Sequence, residues 1–321
     1  MRSRLARASL ITGAITASAA LWMGWQFERD ITHARARVAS GSVLIATRCG
    51  PIEYQEAGSG VPLLAVHGSG GGYDQGMAFA KPLAQQGIRV IAMSRFGYLR
   101  TPMPPEASAA AQADAHVCLL DALRIDNAAV MGGSAGAPSA LQMAIRHPDR
   151  VTALVLAVPL TYKPPTHADS APPLPPAVEN ALMRLIGSDF LFWSVLHVAR
   201  NQLVKVVLAT PPELLARASP GEHARATAML ENILPVSARA KGLAYDTAAG
   251  KHLVPDSLAS VRAPTLIISA RDDRYGTYAS AEYTASAIAG ARFIGFEEGG
   301  HIWIGHNDDV MLEIAKLVGA R

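Results

Sequence analysis

Along most of the chain, short apolar runs rich in Val, Ile and Leu alternate with longer segments whose apolar positions recur at helical spacing. The runs at 43–47, 52–56, 62–66, 89–93, 128–131, 151–157, 265–269 and 292–296 predict eight strands. Several are continuous β-branched stretches without polar alternation, as expected of strands covered on both faces. Segments 73–86, 108–123, 137–147, 278–288 and 310–318 predict helices between them, the third ending where Pro148 forbids continuation. Strand and helix in alternation predict an α/β fold: a mostly parallel eight-stranded sheet with helices on both faces. The connection between the first two strands is short and contains Gly50 and Pro51, which fits an antiparallel hairpin at the sheet edge.

One stretch breaks the alternation. Residues 160–261 contain no clear strand and predict helices at 178–186, 190–206, 212–218 and 223–234, after a proline-rich entry. This is a helical insertion directly after the sixth strand. It divides the core into 28–159 and 262–321, and its apolar positions (Phe190, Leu191, Phe192, Trp193, Leu196, Val206, Leu208) suit either a lid over a hydrophobic substrate or plain packing onto the core.

The first 27 residues stand apart. Arg2, Arg4 and Arg7 are basic, residues 8–25 carry no charge, and Trp22 and Trp25 close the run. That length reaches across a bilayer core if the flanks snorkel, and the tryptophans suit the membrane interface. The segment therefore reads as a membrane anchor with the domain extracytoplasmic. The competing reading is a secreted protein whose signal peptide is cleaved at Ala17-Ser18-Ala19, which would leave Trp22 and Trp25 exposed near a new N-terminus. A third is a helix that caps or dimerises a cytoplasmic enzyme. Residues 28–39 are polar and basic, as in a juxtamembrane helix or spacer.

Composition narrows the classes. Half of the 321 residues are hydrophobic and 17% charged, enough for a large core and against disorder. A formal net charge of +3, spread along the chain, gives no nucleic-acid surface. Cys49 and Cys118 have no metal-ligand spacing. A disulfide between them needs an oxidising compartment; the place of Cys118 on a helix face expected to be buried favours a free cysteine packed as a small hydrophobe. Nothing calls for a metal or an organic cofactor.

The candidate chemistry centres on Gly132-Gly133-Ser134-Ala135-Gly136, between the fifth strand and the following helix. A serine between glycines at that junction is the form of a nucleophile elbow. A sharp turn exposes the hydroxyl at the top of the sheet, while free N–H groups of the next helix face developing negative charge. An activated serine needs a base and the base needs an orienting acid. Asp272 and Asp273 follow the seventh strand, and His301 follows Gly299 and Gly300 after the eighth. Each candidate lies beyond the carboxyl end of a strand, where ligands gather in open α/β sheets. His67 suits orientation of its loop rather than reaction, His147 a helix end, His306 an exposed or capping position, and Asp74 the cap of a helix starting near Gln75. Gly70-Gly71-Gly72 lacks the Gly-Lys-Ser/Thr ending of a phosphate-binding loop.

From about Cys49 to its end the chain resembles the α/β-hydrolase fold family. The resemblance rests on His67-Gly68-Ser69-Gly70, on Ser94 to Tyr98 after the fourth strand, on the elbow, and on the Pro264–Asp273 and Gly299-Gly300-His301 segments. It implies Ser134 as nucleophile, His301 as base and then acid, and an aspartate after Ile268. The family's spacing of a glycine, two residues and the acid, with Ala270 in the glycine's place, points to Asp273 over Asp272. The oxyanion donors implied are the N–H of Ala135 and one from the loop after Gly68, Ser69 first and Gly70 next. The expected activity is a serine hydrolase acting through an acyl-enzyme on a small or lipid-like carboxylic ester, its partner a small, apolar acyl substrate. The alternatives are a carbon–carbon bond hydrolase with the same triad and a non-catalytic ligand-binding relative.

Overall fold

The computed structural model describes residues 2–164, 177, 181, 183, 184 and 187–319, with residues 2–15 in backbone only. Its strands are β1 (Val43–Thr47), β2 (Gly50–Ala57), β3 (Val61–Val66), β4 (Ile88–Met93), β5 (Ala128–Gly133), β6 (Val151–Ala157), β7 (Thr265–Ala270) and β8 (Arg292–Phe296). They form one sheet in the order β1-β2-β4-β3-β5-β6-β7-β8. The expected edge hairpin is present, Ile45 opposite Ile52, and β2 also runs antiparallel to β4. All other pairs are parallel.

Alternate residues of each central strand feed two cores, the consequence of a side-chain period of two. In β3 and β5, Leu64, Val66, Ala128 and Val130 face α3 (Ala109–Ala122), α4 (Ala137–Arg146) and α10 (Thr277–Ala287). Leu63, Ala65, Ala129 and Met131 face α2 (Tyr73–Ala80) and α11 (Asn307–Gly319). The expected helix at 73–86 divides into α2 and a 3-10 turn at Lys81–Gln86, where Pro82 cannot donate the backbone hydrogen bond an α-helix needs. Ser108 caps α3 by accepting from the Ala111 N–H.

The insertion comprises α5 (Asp189–Val198), α6 (Arg200–Val206), α7 (Pro212–Ala216), α8 (Pro220–Glu231) and α9 (Ala240–Gly250) among the described residues. The helix expected at 178–186 lies largely outside them. The one expected at 190–206 breaks into α5 and α6 at Ala199, and α9 answers to no expectation.

Three expectations need correction. Residues 28–39 are helical, one of the two expected forms, but not a separate element or a spacer: α1 (Arg2–Ser40) is a single helix through both N-terminal segments. Its second half packs on the insertion, with Ile31 and Ala34 in a core shared with Phe192, Trp193, Leu196, Leu208 and Ile302. The Trp193 indole donates to Asp30, and Phe27 meets Phe190 and Trp193 edge-on. Among the described residues no helix is long and apolar enough to cross a membrane. Cys49 and Cys118 form a disulfide from the β1–β2 turn to α3; Cys118 is indeed buried, but the turn crosses α3 closely enough to bring Cys49 to it. Finally, Gly72 rather than Asp74 occupies the cap position of α2; the Asp74 carboxylate does accept the Gln75 N–H at 3.0 Å, and it also holds Arg37 of α1 and Arg239 of the insertion.

Candidate active site

Ser134 sits directly beyond β5 with φ +49°, a left-handed conformation costly for a residue with a side chain. The glycines around it explain how the turn is tolerated. A Cβ on Gly132 would lie 2.6 Å from Ala140, and one on Gly136 would lie 2.5 Å from the His67 carbonyl. Gly68 packs against Ser134 itself, since its Cβ would stand 3.0 Å from that of the serine. Gly133 meets nothing closer than 3.9 Å, so the second position of the elbow is free of that demand.

Asp273 and His301 come together from the ends of β7 and β8. His301 Nδ1 lies 2.8 Å from Asp273 Oδ2, so an ionised carboxylate fixes the proton on Nδ1 and leaves Nε2 as acceptor. Thr277, in the first turn of α10, donates its hydroxyl to the same oxygen, and the Tyr275 N–H donates to Oδ1 at 2.9 Å. Burial pushes the Asp273 carboxyl up, but the His301 charge and these hydrogen bonds outweigh it and hold its pKa below the usual aspartate value. Tyr275 packs edge-on to the imidazole, its ring centre 4.9 Å away.

Asp272 points elsewhere. It accepts from the N–H groups of Gly300 at 2.8 Å and Gly299 at 3.3 Å, and so holds the loop that carries His301. The two neighbouring aspartates therefore make different contacts, one with the imidazole and the other with the glycine amides just before it.

Ser134 and His301 line one cavity with Gly68, Ser69, Leu208 and Trp303. Of the apolar insertion residues singled out in the sequence, only Leu208 reaches it; Phe192, Trp193 and Leu196 pack against α1. The Ala135 N–H opens a helical turn, where the first amides lack intrahelical partners. In the facing loop the Gly70 N–H is taken by the Tyr98 oxygen at 3.3 Å, whereas the Ser69 N–H has no partner among the described residues.

That loop is braced from two sides by residues the sequence did not disclose. Asp246 of α9 receives both arms of Arg95 (2.9 and 2.6 Å), the Tyr98 hydroxyl (2.5 Å) and the Ser69 hydroxyl (3.0 Å). Arg239 donates to the Gly71 carbonyl and, bidentately, to Asp74. Arg95 and Tyr98 belong to a stretch already conspicuous in the sequence, but their partner lies about 150 residues away, beyond any local signal.

The other histidines do not compete with His301. His67 is buried, accepts the Arg95 N–H on Nε2 and donates from Nδ1 to the Gly68 carbonyl, and burial with the Arg95 charge pushes its pKa far down. Burial lowers that of His116 to about 3. His147 caps α4 and meets Asp114, and His306 stacks on Phe296. Among the described residues no group of three or more His, Cys, Asp or Glu is placed to hold a metal ion.

This architecture matches known proteins. Residues 61–205 match the model of the alpha/beta hydrolase fold. Over 105 residues the chain is 40% identical to a 2-hydroxymuconate semialdehyde hydrolase of Pseudomonas sp. (strain CF600), covering 32% of this chain and 37% of that enzyme. A 2-hydroxy-6-oxo-6-phenylhexa-2,4-dienoate hydrolase of Comamonas testosteroni is 26% identical over 78% of this chain and 84% of its own length. Among solved structures, an alpha/beta hydrolase fold protein from Nakamurella multipartita aligns with a TM-score of 0.67 at 26% identity, over 87% of this chain and 99% of that one. The chain thus spans about a third to a half of the curated relatives it matches first. The sheet order, the strand-to-helix turn at Ser134 and these matches agree: the chain has the α/β-hydrolase fold.

Proposed function

We propose that the protein is a serine hydrolase in which Ser134, His301 and Asp273 form the catalytic triad and the amides of Ala135 and Ser69 the oxyanion hole. The observation that carries this reading is the Asp273–His301 hydrogen bond at 2.8 Å, facing the cavity that also holds Ser134 in its left-handed turn. Ser134 Oγ attacks a carbonyl carbon while His301 Nε2 takes its proton; the carbonyl electron pair moves to the oxygen held by the two amides. Collapse expels the alcohol, which receives the proton from His301, and water then releases the acid by the same steps.

The substrate in this reading is a small carboxylic ester with an apolar acyl or alcohol part. The names of the relatives favour a second reading, cleavage of a carbon–carbon bond in a dienoate ketone, with a carbanion protonated in place of the alcohol. Hydrolysis of p-nitrophenyl esters from acetate to decanoate, with Ser134→Ala as control, tests the first. Ser134-dependent turnover supports an ester hydrolase; weak turnover with rapid fluorophosphonate labelling of Ser134 supports the carbon–carbon reading; neither turnover nor labelling overturns both and leaves a ligand-binding protein.

The membrane-anchored, extracytoplasmic placement is likewise a proposal. The Cys49–Cys118 disulfide supports an oxidising compartment, and the basic N-terminus before an uncharged run supports export. Fractionation with thiol labelling tests it: a membrane-bound, disulfide-bonded protein is expected, and a soluble reduced form in the cytoplasm overturns it.

A further inference from the structure

The space beside Ser134 is unevenly divided. The cavity containing Ser134 and His301 measures about 70 Å³, room for a scissile carbonyl and a few attached atoms. Across Ala135 lies a second cavity of about 410 Å³, within the usual size of a small-molecule pocket. Neighbouring residues border the two, Ser134 the smaller cavity and Ala135 the larger. Ala135 follows Ser134 in the chain and lines the larger cavity, as does Leu160, whose N–H donates to the Ser134 carbonyl at 3.1 Å.

The wall is mostly apolar, built from the entry to α3, the start of α4 and the end of α9. Its polar groups are specific. Gln112 is buried; its Oε1 accepts the Phe96 N–H at 2.7 Å, but its Nε2 has no partner among the described residues. A buried donor left unmatched in a cavity wall is a place for an acceptor supplied by a ligand. Arg95 gives both arms to Asp246, so its charge is compensated. Asp256, held by Gln142 at 2.6 Å, lines the cavity together with His252, so the wall carries both an acid and a base and no single charge selects an ionic guest.

We propose that this second cavity is the subsite for the larger part of the substrate, and that it takes a neutral alkyl or aryl group bearing one hydrogen-bond acceptor, which Gln112 Nε2 recognises. The inference rests on the Ser134 hydrolase reading above. It adds a specificity pocket between α3 and α9, away from the apolar residues of α5 on which a lid would have been expected to rely.

The test uses the full chain and two ester series, one lengthened on the acyl side and one on the alcohol side, each from two to ten carbons. Ala249→Phe and Ala110→Phe narrow the cavity from opposite walls, so one remains informative if the other fails to fold. In one of the two series the ratio of kcat/KM for the eight-carbon to the two-carbon ester is expected to fall about tenfold or more. Ratios within twofold of the unmodified protein in both series, while Ser134 still labels with fluorophosphonate, overturn the subsite and leave the triad reading intact. Absence of labelling in the unmodified protein overturns the triad reading first. Gln112→Glu keeps the acceptor for Phe96 and removes the donor. It is expected to abolish the preference for heptanoates bearing a ketone at carbon 4, 5 or 6 over plain heptanoate; an unchanged preference overturns the role of Gln112.

Discussion

At the scale of single residues, the pair Asp272 and Asp273 shows how far one position changes a role. Asp273 touches the imidazole, and Asp272 accepts two amides of the loop beneath it. Asp273→Asn keeps the shape but cannot hold the Nδ1–H tautomer, so kcat should fall on the order of 10⁴-fold with the fold retained. Asp272→Asn keeps an acceptor oxygen and should cost on the order of tenfold, through placement of His301 rather than its chemistry. Steady-state kinetics of both variants decide the matter, and the opposite ranking transfers the orienting role to Asp272. Gly300 offers a stability counterpart. With φ +61° and Thr210 only 2.5 Å from where a Cβ would stand, Gly300→Ala should lower the melting temperature as well as activity, since both backbone and neighbour resist it. The places of Ser134, His301 and the pair Asp272 and Asp273 were legible because each follows a recognisable strand, while the preference for Asp273 came from the resemblance to the family's spacing. The use of Asp272 was not legible, because its partners are backbone amides that any sequence would supply.

At the scale of elements, all eight strands were legible: β3 to β7 because residues buried on both faces leave a nearly uninterrupted apolar run, and the half-exposed β1, β2 and β8 because short β-branched or aromatic runs lie between turn residues. The failures lie in the helices that owe their place to distant partners. α9 reads Ala-Lys-Gly-Leu-Ala-Tyr-Asp-Thr-Ala-Ala-Gly, with no apolar stripe, and is tied down by the buried Asp246–Arg95 pair. An ion pair across about 150 residues has no local signature. Asp246→Asn would leave a guanidinium buried without its counter-charge and should cost about 3–5 kcal/mol in urea unfolding, whereas Asp246→Asn with Arg95→Met should recover part of it. Recovery of nothing would mean that Asp246 acts through Ser69 and Tyr98 instead. α1 makes the same point. Its polar second half reads as a juxtamembrane helix or spacer, yet Ile31 and Ala34 are core residues and Arg37 reaches Asp74 at 2.7 Å and the Leu234 carbonyl at 2.6 Å. Removing residues 1–26 should leave the melting temperature of the remaining chain nearly unchanged, and removing 1–40 should lower it sharply. Equal effects would argue that α1 packs on the insertion without supporting it.

At the scale of the whole molecule, Asp74 joins the N-terminal helix, the sheet domain and the insertion, because Arg37, Arg239 and the N-terminal turn of α2 converge on one carboxylate. Burial pushes its pKa up, but the two guanidinium groups outweigh this and hold it below the usual aspartate value. Asp273 is lowered in the same sense. A carboxyl with a lower pKa folded than unfolded binds fewer protons in the native state, so stability rises with pH. The contribution is complete above the unfolded value near 3.8 and is lost as pH falls through the folded value. The disulfide, which spans 69 residues, should add about 4 kcal/mol at any of these pH values, since it acts on the unfolded chain and does not titrate. The two contributions can therefore be separated in one set of urea titrations from pH 6 to pH 3. Replacing both cysteines with serine should lower stability by a constant amount across the range. Asp74→Asn should lower it at pH 6, with a gap that begins to narrow once pH falls below about 3.8, where the unfolded carboxyl takes up its proton. A gap that stays constant with pH would mean that Arg37 and Arg239 hold the three parts together through the carbonyls of Gly71, Asn232 and Leu234, with the Asp74 charge incidental.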